Sequence, residues 1–331
     1  MSIRQQDIAE HLGLSVSTVS LALRDAVQVS EETRLRVRDA AMQLGYVYRP
    51  RQTLRTEIGQ MAFITRLDPR NVFYTAVLSG AERECSTQNI ALHYTRLEEP
   101  SARTLLHYTD LEALLVVGTI DEQTVLRLKD LGRPLMLVDN NLPHLGLDRV
   151  LIENVGSVYR VVRRLFSWGH RRIAFMAGPD DHPSFRERLL GYRYGIASLG
   201  LSPIELRSGS TCHGTGERTI TDWLASHREP GFSALVVFHD EAAIEAIHAL
   251  QDHGLHVPDD VAVVGFDDIE SAHMVRPALT TCHVHRELLG ALGVRRLLER
   301  VADPSAPALG LTLDTIFVER ASARGKTGNT N

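Results

Sequence analysis

Apolar positions near the start of the chain recur with helical spacing. Ile8, Ala9 and Leu12 share one face of a short helix. Gly13 supplies the positive φ at which such a helix ends, and Ser15 is a good N-cap for a second helix. The inward positions of that second helix are Val19, Ala22 and Leu23. Two short helices joined by a tight turn form a helix-turn-helix, whose second helix lies in the DNA major groove. An ordinary helical hairpin is the alternative.

A third helix is predicted after this pair. Ser30 can cap it, and Val37, Ala41 and Leu44 line one of its faces. Three helices of this size make a small core, so residues 1–46 are predicted to form a small domain. The polar, arginine-rich stretch 47–57, which is broken by a proline, predicts a linker.

Beyond residue 58, apolar strand segments alternate with amphipathic helical segments. The predicted strands lie at 58–65, 90–95, 113–117, 134–139, 147–152, 172–177, 233–238, 261–266 and 279–284. The predicted helices lie at 74–88, 121–131, 154–168, 185–199, 215–227, 240–253 and 286–302. Because the strands are hydrophobic throughout, this pattern predicts an α/β body with parallel sheets covered by helices on both faces. The number of strands favours two lobes, and residues 321–331 are expected to form a disordered tail.

Composition narrows the class of protein. The 331 residues are 44% hydrophobic, which suffices for full cores in about two domains and an appendage. No leader-like segment opens the chain and no run of 18 apolar residues occurs, so a cytoplasmic protein without a membrane span is expected. The three widely separated cysteines fit reduced thiols.

Charge is unevenly distributed along the chain. Residues 1–56 carry eight arginines and six acids, while the whole chain has a net charge of −5. The overall charge argues against non-specific coating of nucleic acid. A mildly positive head on an acidic body fits a small DNA reader attached to a larger domain with another task.

Several motifs, in their order along the chain, resemble the lactose-repressor/galactose-repressor family of bacterial transcription regulators. They include GLSVSTVS at 13–20, GHRRIAF at 169–175, RERLLGY at 186–192, VPDDVAVVGFDD at 257–268 and PALTT at 277–281. The resemblance implies a homodimer that binds a roughly palindromic operator. It also implies a two-lobed, periplasmic-binding-protein-like body for a small effector, commonly a sugar. The expected amino lobe is 58–152 with 285–313, and the expected carboxy lobe is 153–283 with 315–320.

The resemblance implies that bases are read by the first residues of the second helix, here Val16 and Ser17. A third reader lies one turn later and is typically arginine, which bonds guanine bidentately, but this chain has Leu21. We therefore hypothesise an operator half-site that differs at that base pair; inward packing of Leu21 is the alternative. The residues expected to contact phosphate or cap helices are Ser15, Thr18 and Ser20.

The linker also departs from the family. Leu54 matches the family's leucine that wedges into the minor groove, but the interval is shorter and Arg51 replaces a small residue. Either the linker helix is shortened or the wedge is absent. Arg49, Arg51 and Arg55 would still hold phosphates or the minor groove.

In this type of body the ligand lies between the lobes, at the carboxyl ends of the strands. Asp139 and Asp267 each close an apolar strand, and Arg188 lies early on a helix. Family resemblance assigns all three to the effector, and their multi-site hydrogen bonding suits vicinal hydroxyls. Capping of loops is the alternative for both aspartates.

Three further positions complete the predicted effector site. His239 stands where the family usually has asparagine, which adds bulk and predicts pH-dependent binding. Phe73 or Tyr74 is expected to stack on an apolar sugar face, although both could equally be core residues.

Other functions are disfavoured by the sequence. The compact group Cys282, His283 and His285 invites a metal interpretation, but no second group at ligand spacing supports it, so no metal or cofactor is predicted. No nucleophile or phosphate-loop motif occurs, and enzyme activity is therefore not expected. A non-exported sugar-binding protein with a degenerate DNA-binding head is the alternative function.

Overall fold

The structure is a computed structural model. It describes residues 5–23, 29–30, 33, 35–37, 40–41, 44, 58–66, 71–97, 111–209, 213–227 and 229–325. The chain divides into two compact units, Met1–Glu57 and Ile58–Asn331. The predictions for Arg49, Arg51, Leu54 and Arg55 lie outside the described residues, as does the linker segment 47–57.

The first unit contains the predicted helix pair, α1 (Gln5–Leu12) and α2 (Val16–Leu23). Gly13 has a φ of 64°, and the Ser15 hydroxyl accepts a hydrogen bond from Thr18 N at 3.0 Å, as the pattern predicts. The described residues 33, 35–37 and 40–41 are helical, in agreement with a third helix. One buried apolar cluster joins Ile8, Ala9, Val19, Ala22, Val29, Val37, Ala40 and Ala41.

The second unit alternates strands and helices. The described strands are β1 (Gln60–Thr65), β2 (Ala91–Arg96), β3 (Ala113–Val117), β4 (Leu135–Val138), β5 (Asp148–Ile152), β6 (Ile173–Ala177), β7 (Ile204–Arg207), β8 (Ala234–Val237), β9 (Ala262–Val264), β10 (Thr281–His283), β11 (Gly310–Leu313) and β12 (Ile316–Val318). The described helices are α3 (Val72–Thr87), α4 (Glu122–Lys129), α5 (Asn154–Ser167), α6 (Pro183–Ser198), α7 (Thr215–Ser226), α8 (Asp240–Asp252), α9 (Ser271–Met274) and α10 (Arg286–Ala302), with a 3₁₀ turn at Pro143–Leu145.

Two parallel sheets form the two lobes. The amino lobe has a six-stranded sheet in the order β11-β5-β4-β3-β1-β2, and the carboxy lobe a four-stranded sheet in the order β7-β6-β8-β9. Each of these pairings is parallel, with Met61 beside Ala113 and Ile173 beside Ala234. The antiparallel pair β10–β12 accompanies the chain where it passes between the lobes. The predicted fold class is confirmed.

The packed body extends further than the sequence predicts. Ser322 and Ala323 are fully buried, and the Ser322 hydroxyl donates to Val263 O at 2.6 Å while accepting from Thr280 N at 2.8 Å. The prediction of a disordered tail from residue 321 is therefore wrong for residues 321–325. Small polar side chains can enter a core when the main chain offers them partners. Residues 326–331 lie outside the described residues.

Two glycines allow α5 and α6 to pack closely in the carboxy lobe. A Cβ atom on Gly191 would lie 2.2 Å from Val155 O, and one on Gly195 would lie 2.8 Å from the Val162 side chain. The main-chain oxygen cannot move without displacing α5. Close helix contact here fixes the direction in which α6 points its first turn.

Replacing Gly191 with alanine is expected to lower the free energy of unfolding by about 2–3 kcal/mol, because overpacking forces the helices apart. Denaturant titration measures the change. Gly209→Ala is the matched control, since a Cβ there meets nothing within 4 Å. Equal stability of the two variants would contradict the close-packing argument.

The structure also bears on membrane association. Among the described residues, no helix has both the length and the apolar character needed to cross a bilayer.

Candidate functional site

The second helix of the head exposes the residues predicted to read bases. Val16 is 47% exposed and Leu21 is 38% exposed, so Leu21 does not pack inward as the alternative required. The Ser15 hydroxyl lies 2.7 Å from the hydroxyls of Ser17 and Thr18, which ties the start of the helix together. Ser20 lies on the same helix. An exposed apolar side chain on α2 is consistent with contact to a thymine methyl group.

A cavity of about 150 Å³ lies between the lobes of the body. All six predicted effector residues line it: Phe73, Tyr74, Asp139, Arg188, His239 and Asp267. Phe73 and Tyr74 come from the start of α3, while Asp139 directly follows β4 and Asp267 follows β9 shortly after its end. Because parallel strands end at one edge of their sheet, the two aspartates face each other across the gap.

Both aspartates adopt backbone conformations that side chains disfavour. Asp139 has a φ of 52° and Asp267 has a φ of 116°, in the region that glycine occupies readily. Each conformation stores strain and turns the carboxylate into the cleft.

Asp139 is fixed by hydroxyl groups from both lobes. Tyr74 Oη donates to its Oδ2 at 2.6 Å, and Ser184 Oγ donates to its Oδ1 at 3.2 Å. Burial raises the pKa of Asp139, and burial together with the neighbouring Asp139 charge raises the pKa of Tyr74. The phenol therefore remains a hydrogen-bond donor at neutral pH.

Arg188 is the cationic centre of the cleft. The residue is 3% exposed. Its guanidinium donates to Asn154 Oδ1 at 2.9 Å, to Phe238 O at 2.5 Å and to Asp267 Oδ1 at 3.2 Å. The guanidinium also lies 3.7 Å from the centroid of the Phe266 ring. These contacts fix the side chain in one direction before any ligand arrives.

Asp267 is a second buried carboxylate of the cleft with a raised pKa. Burial raises its pKa to about 6, although the neighbouring Arg188 charge opposes the rise. A raised pKa in the folded state means that the folded protein binds the proton more tightly than the unfolded chain. The corresponding stability is present below about pH 4 and is lost as pH rises through about 6.

Asp267→Asn is therefore expected to reduce the change in unfolding free energy between pH 4 and pH 7. The reduction should be on the order of 2 kcal/mol. Urea titrations at several pH values measure this. The exposed Asp222→Asn serves as control and should keep the wild-type slope. If Asp267→Asn kept the same slope, Asp267 would not be the group that titrates.

His239 does not titrate near neutral pH. Burial, together with the Arg188 charge, lowers its pKa to about 3. The predicted pH-dependence of binding through this histidine is therefore wrong. Its Nδ1 accepts from Ala242 N at 3.0 Å and caps α8, which leaves the proton on Nε2.

Both units of the chain match known families of domains. Residues 5–48 match "Bacterial regulatory proteins, lacI family", and residues 162–323 match "Periplasmic binding protein-like domain". The transcriptional repressor CytR of Escherichia coli K12 is 26% identical over 335 residues, covering 96% of both chains. The chain belongs to the lactose-repressor/galactose-repressor family of bacterial transcription regulators.

Solved structures of family proteins share this fold. The structure of the transcriptional regulator CelR with cellobiose is 25% identical, covers 97% of this chain and 100% of that chain, and has a TM-score of 0.71. The structure of the lac repressor dimer bound to operator and the anti-inducer ONPF is 23% identical, covers 97% of this chain and 99% of that chain, and has a TM-score of 0.72.

The cleft contains residues that sequence reasoning missed. His182 lines the cavity and stacks on Phe185 with ring centroids 4.0 Å apart. Burial, then the Arg188 charge, lowers the pKa of His182 to about 4. Its Nδ1 is buried and has no hydrogen-bond partner among the described residues. The polar sequence around His182, with Asp180 and Asp181 before it, gave no signal of this contact. The other missed lining residues are Asn71, Val72, Ser184, Phe185, Glu241 and Ile269.

Phe73 and Tyr74 combine the two roles that the sequence left open. Both belong to the buried core cluster of the body and both line the cavity. Their rings meet edge to face with centroids 4.8 Å apart. The aromatic side chains therefore form a rigid wall rather than a mobile lid.

The cysteine and histidine group at the lobe crossing has other partners. His283 Nδ1 lies 2.9 Å from Asp268 Oδ2, and Asp268 also pairs with Arg320 at 2.6 Å. Cys282 is buried, and its ring-bearing neighbours His283 and His285 contact each other. Within the described residues, no group of three or more metal-ligating side chains comes together.

Proposed function

We propose that this protein is a transcriptional repressor which binds a palindromic operator as a homodimer and is controlled by a small sugar in the cleft. The observation that carries the proposal is the convergence of Asp139, Asp267 and Arg188 in one cavity of a chain with a helix-turn-helix head. In this proposal the protein acts on DNA in the cytoplasm, by binding and not by catalysis.

The lining of the cleft favours a neutral, polyhydroxylated ligand. Two carboxylates and one guanidinium offer several acceptors and donors to adjacent hydroxyl groups. The Phe73 and Phe185 rings offer apolar faces for the C–H side of a sugar ring. A volume of about 150 Å³ is below the range of pockets for drug-sized ligands and favours a monosaccharide-sized ligand or moiety.

Relatives support both halves of the proposal. CytR is a repressor, CelR has been solved with cellobiose, and the lac repressor dimer has been solved on its operator. We extend operator binding, a saccharide effector and dimer formation from these proteins to this chain. The DNA contacts that we assign are Ser15, Val16, Ser17, Thr18, Ser20, Leu21, Arg49, Arg51, Leu54 and Arg55.

The proposed control is a two-state change. The chain passes between the lobes three times, near 153, 284 and 314, which allows closure about a ligand as a hinge. Closure would alter the spacing of two linkers in the dimer. Since half-sites are read about one helical turn apart, a small change in spacing weakens specific binding. Effector and operator then change each other's affinity by about 1–3 kcal/mol.

Selection of duplexes from a random library by the purified full-length protein tests the DNA half of the proposal. We expect a palindromic site bound far more tightly than a scrambled duplex at the same salt concentration. Equal, salt-sensitive binding to all duplexes would overturn the proposal of specific operator binding.

Thermal-shift measurements with mono- and disaccharides test the proposed effector binding. Any sugar that raises the melting temperature is then added to the operator complex. A sugar that binds without changing operator affinity would refute allosteric control.

A further inference from the structure

The first turns of α6 reach across the cleft to the amino lobe. Ser184 Oγ donates to Asp139, as described above, and Glu187 Oε1 accepts a hydrogen bond from Asn141 Nδ2 at 3.1 Å. Asn141 follows β4 in the amino lobe, whereas Glu187 belongs to the carboxy lobe. Glu187 thus forms a charge-assisted bridge between the lobes, next to the cavity rather than in its lining.

The second carboxylate oxygen of Glu187 has a separate partner. Oε2 accepts from Asn154 Nδ2 at 2.9 Å, and Asn154 is buried at the first residue of α5, where the chain has just crossed between lobes. The Asn154 side-chain oxygen in turn accepts from Arg188 Nε at 2.9 Å. A continuous series of hydrogen bonds therefore joins the amino lobe to the cationic centre of the cleft.

Glu187 determines which way the Asn154 amide faces. An amide presents an acceptor on one side and a donor on the other. With a carboxylate on one side, the NH₂ group must face Glu187, and the oxygen must face Arg188. Without that acceptor the amide is free to turn, and a flipped amide would set a donor against the Arg188 Nε–H group.

We propose that Glu187 is a positioning residue that links the lobes through Asn141 and orients Arg188 through Asn154 before any effector binds. Its part in effector control rests on the function proposed above. The same carboxylate serves both tasks, so separation of the lobes and loss of Arg188 orientation are coupled. Closure of the cleft and orientation of the Arg188 side chain then occur together.

Hydrogen exchange of the full-length protein, without effector or DNA, tests this bridge. Glu187→Gln retains the shape of the side chain but can accept from only one asparagine. We expect exchange to accelerate roughly 10-fold in peptides covering 139–147 of the opposite lobe, as well as around the start of α6. Glu217→Gln, an exposed carboxylate in the first turn of α7, is the control and should leave both regions unchanged.

Asn141→Ala breaks the same bridge from the other lobe and keeps the test valid if the Glu187 variant folds poorly. In peptides covering 139–147, the double variant should exchange no faster than the faster single variant, because both substitutions disrupt the same Asn141–Glu187 hydrogen bond. Acceleration confined to the carboxy lobe, or additive effects, would overturn the proposal. Since the measurement needs neither sugar nor operator, its outcome is independent of the proposed function.

Discussion

Arg188→Ala is expected to abolish the thermal-shift response to sugars and to lower the free energy of unfolding by about 3–5 kcal/mol. The substitution leaves Asp267 as a buried charge without its partner. It also removes the donors to Asn154 Oδ1 and to Phe238 O. Losing one member of a buried pair costs more than the pair contributes, because the remaining charge is uncompensated.

The loss should depend on pH in a defined direction. Arg188 lowers the pKa of Asp267, so its removal raises that pKa further above the value of about 6. A protonated Asp267 no longer needs a cation, and the variant should therefore lose less stability at pH 5 than at pH 8. Urea titrations at the two pH values measure the difference.

Arg186→Ala is the matched control for this experiment. Arg186 lies on the same turn of α6, is exposed and donates to Asp180 O at 2.6 Å. Its removal should change stability by about 0.5 kcal/mol or less and leave the sugar response intact. Equal effects of the two substitutions would show that Arg188 has no special place in the cleft.

Leu21→Arg is expected to change the operator that the protein prefers. Arginine at this exposed position of α2 can form two hydrogen bonds with guanine, worth about 1–3 kcal/mol for each half-site. We expect selection from a random library to recover guanine at one symmetric position with the variant, and no such preference with the natural leucine. Affinity for a guanine-containing site should rise roughly 10-fold or more per half-site.

Leu35→Arg separates base reading from added charge. Leu35 is 54% exposed in the same unit, on the third helical segment rather than on α2. The control should alter affinity for all duplexes alike without changing the selected sequence. If Leu21→Arg selected the same sites as the natural protein, residue 21 would not read a base.

Much of the body could be predicted because its central strands are buried on both faces. β3 and β4 are entirely buried, and their apolar runs at 113–117 and 134–139 mark them in the sequence. β7 and β11 lie at sheet edges and are only four residues long; β7 mixes exposed, half-buried and buried positions, and β11 alternates exposed with half-buried ones, so neither contains an apolar run. Their pairing depends on neighbours that are distant in sequence.

The site was predictable where chemistry follows directly from chain position. Asp139 and Asp267 follow apolar strands of the two sheets, and the carboxyl ends of parallel strands are where ligands bind in α/β folds. His182 and Glu187 carry no comparable signal, because a polar residue in a loop or helix turn has the same pattern whether it faces water or the opposite lobe. Their contacts depend on how the lobes meet.

The left-handed backbone of Asp139 and Asp267 has a consequence for the evolution of this protein. Glycine would relieve the backbone strain at both positions, worth ~1–3 kcal/mol each, but at position 267 it would also leave the buried Arg188 guanidinium without its carboxylate. A laboratory population selected only for survival at high temperature should therefore accept glycine in place of Asp139 early and should keep Asp267. Such descendants would be more stable to heat but would no longer respond to the metabolite.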